Sequence, residues 1–199
     1  MENRTVKIQL ADPTTLGLFG LAMVTLVASS QKLGLTEGLS FVIPWAFFLG
    51  GLAQIIASFY DFKHNNLFGA TAFGAYGLFW FAVCLSWFIN MGVFGEILQS
   101  SVDLKQLGFA FLGYFILSVI LTISTLKMNK GMFLLMSLIC LLFVALAGDA
   151  FGFGSSWKTL AAYVELAISL VTFYALAARY LNAFFEKNIV PMGAPFIKD

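Results

Sequence analysis

Six long apolar runs, separated by short polar breaks, set the rhythm of this chain. They cover residues 14–30, 39–60, 67–88, 107–126, 131–150 and 159–180. A helix rises 1.5 Å per residue, so about 18 to 25 apolar residues cross a hydrocarbon core of roughly 30 Å. The pattern therefore predicts an all-α integral membrane protein with six transmembrane helices. The breaks carry loop chemistry: Gln31-Lys32, Asp61 to Asn66, Gly95 to Gln106, Lys127 to Lys130, and Gly152 to Lys158. None is long enough for a soluble domain. The expected organisation is an N-terminal segment 1–13, one membrane domain 14–180 and a C-terminal tail 181–199.

Within that pattern, small residues recur at helical spacing: Gly17 and Gly20, Ala46 and Gly50, and Ala70, Gly74 and Gly77. Such faces let membrane helices approach closely. The first run has a defined start. Pro13 suits a first helical turn, where its missing N–H has no partner, and Asp12 before it can cap free N–H groups at the positive end of the helix dipole.

Composition agrees with the pattern. The chain is 60% hydrophobic and 11% charged, against about 25% charged in soluble domains. The net charge of +1 and the scattered basic residues give no basis for nucleic-acid binding. Charge position matters more. Arg4, Lys7, Lys63, Lys127, Lys130, Arg179, Lys187 and Lys198 fall on the side of the termini, while Lys32, Lys105 and Lys158 fall opposite. The positive-inside rule then places both termini in the cytoplasm, for a multi-pass protein of the cell (inner) membrane. Trp45, Trp87 and Trp157 lie at outer helix ends, with Tyr60 and Tyr180 at inner ones, as interfacial aromatics do. The first apolar run begins late and lacks a clear cleavage site, unlike a signal peptide.

Candidate chemistry is sparse. The single histidine, His64, sits in a loop. Cys84 and Cys140 each lie in an apolar run, as buried small hydrophobes. No metal-ligand cluster, phosphate loop or HExxH pattern occurs, so neither an enzyme nor a metal or other cofactor is expected. The informative groups are polar residues within spans, which must find partners or water. Gln54 lies in the second run and Tyr76 in the third. Glu165 is the one acid well inside a run, a candidate proton site or a partner for Lys158, and Asp149 lies near an outer end. Tyr76 lies about nine residues into its span, a depth of about 14 Å. Gln54 arrives at a similar depth from the opposite direction.

Asp12-Pro13-Thr14-Thr15-Leu16-Gly17-Leu18 resembles the N-P-x-P-L-G-L signature of the acetate uptake transporter family, the succinate–acetate permeases. Asp12 replaces the usual Asn and Thr15 the second Pro. GGLAQIIA in the second run, FGATAFGAYGLFW in the third and IVPMG at 189–193 are similar to family segments in the same order. The resemblance implies a six-helix homohexamer in the lipid membrane that conducts acetate and related short carboxylates, succinate among them. It also implies a narrow apolar gate at Leu21, Tyr76 and Leu138, with Leu21 standing where the family has Phe, so the gate's width is left open. The two leucines lie about seven residues into their spans and Tyr76 about nine, depths of about 10 to 14 Å, so the three can meet at one level. Gln54 and Thr71 would hydrogen-bond the carboxyl group. Proton-coupled symport, ammonia export, and a non-conducting membrane scaffold or sensor remain alternatives.

Overall fold

The structure, a computed structural model, describes residues 10–198. Arg4 and Lys7, and with them most of the segment 1–13, lie outside the described residues. Among the described residues, six helices are long and apolar enough to cross a membrane: Thr14–Lys32, Val42–Lys63, Leu67–Asn90, Leu104–Thr125, Lys130–Ala150 and Ser155–Phe184. They are called here the first to sixth spans. A short helix, Glu96–Ser100, lies between the third and fourth. No strand occurs among the described residues.

Each predicted run corresponds to one span, and the differences lie at the ends. The second span keeps its helix through Asp61 to Lys63, residues that read as a loop because of their charge. The sixth begins at Ser155 and runs to Phe184, past Tyr180. Three starts are fixed by side chains that accept a backbone N–H: Asn66 from Gly69, Asp103 from Lys105 and Asn129 from Met132. The fourth span accordingly starts at Leu104, ahead of the apolar run.

The spans form a ring in the order three, two, one, six, five, four. The first packs between the second and sixth, the third on the second, and the fifth between the sixth and fourth. Third and fourth close the ring through side chains. The Tyr114 hydroxyl donates to the Ala75 carbonyl at 3.0 Å, and the hydroxyls of Tyr76 and Ser118 share a bond of 2.8 Å.

The small residues serve this intramolecular packing. A Cβ on Gly17 would strike the Phe73 ring, and one on Gly20 would strike the Leu49 carbonyl oxygen. The second span is wound as a π-helix over Ala46–Ala53, and its Gly50 and Gly51 lie against Trp80 and Phe81 of the third. Cys84 is buried and Cys140 half-buried; both are free.

Candidate functional site

Six spans return the chain to the side from which it started, and side-chain bonds gather one end of the bundle. Asp12, ahead of the first span, pairs with Arg179 of the sixth. The His64 Nε2, at the end of the second span, lies 3.1 Å from the Ala11 carbonyl oxygen. The tail folds over the same end: Gly131 N–H donates to Met192 O at 2.9 Å, and Phe196 N–H to Leu126 O at 3.0 Å.

These elements surround a cavity of 730 Å³. Asp12, Arg179, His64 and Asn182 form its polar side, and Leu18, Phe73, Met132 and Ala175 supply apolar lining. Asp12 also accepts the Thr14 N–H at 3.0 Å, while Pro13, expected inside the first turn, occupies the N-cap position, which has no side-chain cap bond. Burial pulls the Asp12 carboxyl upward, but its bonds from Thr14 and the Arg179 guanidinium outweigh that and hold it below its ordinary value of 3.8. A carboxyl lowered by folding stabilises the fold above its unfolded value, and the contribution fades as pH falls through the folded one. Asp12→Asn is therefore expected to lower the unfolding temperature in detergent at pH 7. The gap to the native protein should hold down to about pH 4 and close below it; a gap independent of pH would exclude this ion-pair origin.

Asp61 is the unexpected member of the wall. It is 1% exposed. Its Oδ1 accepts from Asn66 Nδ2 at 2.9 Å, while its Oδ2 has no hydrogen-bond partner and lies close to Gly69, where a Cβ would strike it.

The first, third and fifth spans run in the same direction. Leu18, Phe73 and Met132 line the cavity, and three residues further on, about 4.5 Å deeper, stand Leu21, Tyr76 and Leu135. These are 8%, 4% and 1% exposed. Tyr76 stacks on Phe143 at a centroid distance of 6.1 Å and lies 6.3 Å from Tyr114. The structure thus brings Leu21 and Tyr76 into one buried cluster, with Leu138 half-buried against its edge. Leu138 is six residues beyond Met132, about one turn deeper than the level of Leu21 and Tyr76. Leu135 occupies that level and was not singled out from the sequence.

The remaining predicted positions separate. Gln54 is fully buried; its Nε2 donates to Gly50 O at 2.8 Å and its Oε1 has no partner. Thr71 is half-buried and is not part of the cavity lining. Of the helix-entry residues, Gly17 and Leu18 face inward and Leu16 outward. Glu165 bonds to Lys32 Nζ at 2.7 Å rather than to Lys158. Lys32 ends the first span, which packs directly on the sixth, and this brings its ammonium to the acid. No cluster of three or more His, Cys, Asp or Glu that could hold a metal occurs among the described residues.

Residues 2–194 match the model of the GPR1/FUN34/yaaH family. The chain belongs to that family. It is 27% identical to the succinate-acetate/proton symporter SatP of Escherichia coli K12, over 93% of this chain and 96% of that protein. It is 33% identical to the ammonia transport outward protein 2 of Saccharomyces cerevisiae, over 69% of this chain and 50% of that one. The solved structure of the bacterial acetate channel SatP superposes with a TM-score of 0.85 at 26% identity, covering 93% of this chain and all of that one. With six apolar spans, this family member is a multi-pass membrane protein.

Proposed function

We propose that this chain conducts acetate and related short carboxylates, succinate among them, across the inner membrane and catalyses no reaction. One observation carries the reading: a polar-rimmed vestibule of 730 Å³ lies one helical turn from a level of buried apolar residues on three parallel spans. Arg179, paired with Asp12, belongs to the polar rim that an entering carboxylate meets. The constriction is formed by Leu21 and Tyr76 with Leu135, and Leu138 continues it a turn further in. An apolar ring resists hydrated ions and admits a small solute that has shed its charge or its water. Gln54, whose Oε1 has no partner, is the group expected to hydrogen-bond the solute further in, while Thr71 lies outside the vestibule lining. The vestibule opens to the cytoplasm together with both termini, as the basic residues on that side indicate. Each protomer of a homohexamer has its own pathway. Glu165 and Lys32 tie the outer ends of the sixth and first spans.

The test is uptake of radiolabelled acetate into proteoliposomes, with empty liposomes subtracted, with and without an imposed pH gradient. Saturable uptake above the empty control is expected. Its absence in both conditions would reject acetate transport. Ammonia release, measured in the same vesicles, would then favour the activity named for the yeast relative.

A further inference from the structure

Three buried side-chain oxygens among the described residues have no hydrogen-bond partner: Thr14 Oγ1, Gln54 Oε1 and Asp61 Oδ2. Two of them, Thr14 and Asp61, belong to the wall of one cavity. An ionised carboxylate buried with one oxygen unpaired is costly, and the cost falls when the group is neutral or meets a ligand.

The charges around Asp61 point the same way. Asp12 faces it from the segment before the first span, His64 from the end of its own helix, and Arg179 from the sixth span. The turn between the fourth and fifth spans contributes the uncharged Met128 and Asn129 to the lining. With both aspartates ionised, Arg179 compensates only one of their two negative charges. An incoming carboxylate then meets a net negative vestibule. With Asp61 neutral, the same anion meets a balanced one.

We infer that Asp61 is the proton-binding group of the vestibule and hands its proton to the carboxylate that enters there. This rests on the carboxylate-transport reading above. The proton moves from Asp61 Oδ2 to a substrate carboxylate oxygen, which leaves Asp61 ionised and the substrate a neutral acid. The neutral acid enters the apolar level at Leu21, Tyr76 and Leu135, which excludes the anion by its desolvation cost. Water in the vestibule returns a proton to Asp61. For flux in the other direction the same steps run in reverse. Asn66 positions the group by holding Oδ1, which leaves Oδ2 to carry the proton.

The experiment measures initial rates of acetate exchange in proteoliposomes at equal internal and external pH, from pH 5 to pH 8, with empty liposomes subtracted. Native exchange is expected to fall as pH rises. Asp61→Asn keeps the shape but has no proton to transfer, so its profile should be flat and its rate at pH 5 at least tenfold below native. Asn66→Asp keeps the acceptor that caps the third span and sets a second acid against Asp61. Two carboxyls sharing a site hold a proton more tightly, so the pH of half-maximal exchange should rise by about one unit or more. This second variant also decides the matter if Asp61→Asn does not fold. An Asp61→Asn profile that follows the native one, a flat native profile, or an unmoved midpoint in Asn66→Asp overturns the inference while leaving transport itself intact. Absence of native exchange rejects the transport reading first.

Discussion

Tyr76→Ala is expected to raise acetate flux severalfold and to admit larger carboxylates that the native protein rejects, at a large cost in stability. The ring is 4% exposed, lies against Phe143 and Tyr114, and occupies the level just beyond the vestibule. Removing a buried aromatic side chain costs about 3–5 kcal/mol. Tyr76→Phe separates the two effects. It deletes only the hydroxyl bonded to Ser118, which keeps its own bond to the Tyr114 carbonyl at 2.7 Å. That loss is worth about 1 kcal/mol, and the ring stays in place, so flux and selectivity should remain near native. Uptake of acetate and a bulkier acid, measured with thermal unfolding in detergent, checks both variants. If Tyr76→Ala lowered stability and left selectivity unchanged, Tyr76 would be a packing residue and the narrow point would lie elsewhere.

The second large effect is expected at the opposite end. Glu165 is 1% exposed and Lys32 20%, so their bond is largely shielded from solvent. Lys32→Met leaves an acid buried without its counter-charge, a change that costs about 3–5 kcal/mol. Replacing both partners by apolar residues, Lys32→Met with Glu165→Leu, removes the uncompensated charge and should recover most of that loss. Thermal unfolding of the single and double variants reads this directly. A single variant as stable as the native protein would show that water already reaches the pair, making it an exposed contact between the ends of two spans.

The spans were legible because membrane solubility dictates them: uninterrupted apolar runs of bilayer length have few other uses. Their ends were less so. Charge marks a helix end only when the charged group reaches water. Asp61 sits instead in the vestibule wall, held by Asn66 and only 1% exposed, and the helix continues through a sequence that reads as a loop. The partner of Glu165 was hidden for another reason. Lys158 is seven residues away in the chain, whereas Lys32 is 133 residues away and adjacent only because the first and sixth spans pack together. Ring order has no local signature at all.

The candidate site was legible in part. Leu21 and Tyr76 share a depth that residue counting gives directly, and both are buried in the common core. On the fifth span, counting from the helix start placed Leu138 at that depth, whereas the residues lining the vestibule place Leu135 there and Leu138 a turn beyond. Asp61, Phe73 and Ser118 were missed. Asp61 carried a signal in retrospect: an acid in an amphiphilic helix end followed by Asn66, whose side chain has one amide group to bind it and one oxygen to cap the next helix.

The folded tail bears on how the molecule is made. Residues 191–197 leave the ribosome after all six spans, yet Met192 and Phe196 supply contacts that hold the turn between the fourth and fifth spans. Insertion into the bilayer can therefore be complete while the vestibule still lacks part of its wall. Met192 lines that wall, so the mouth of the vestibule matures after the six spans are in place. A nascent chain halted just short of this segment would sit in the membrane with its bundle formed and its entrance unfinished.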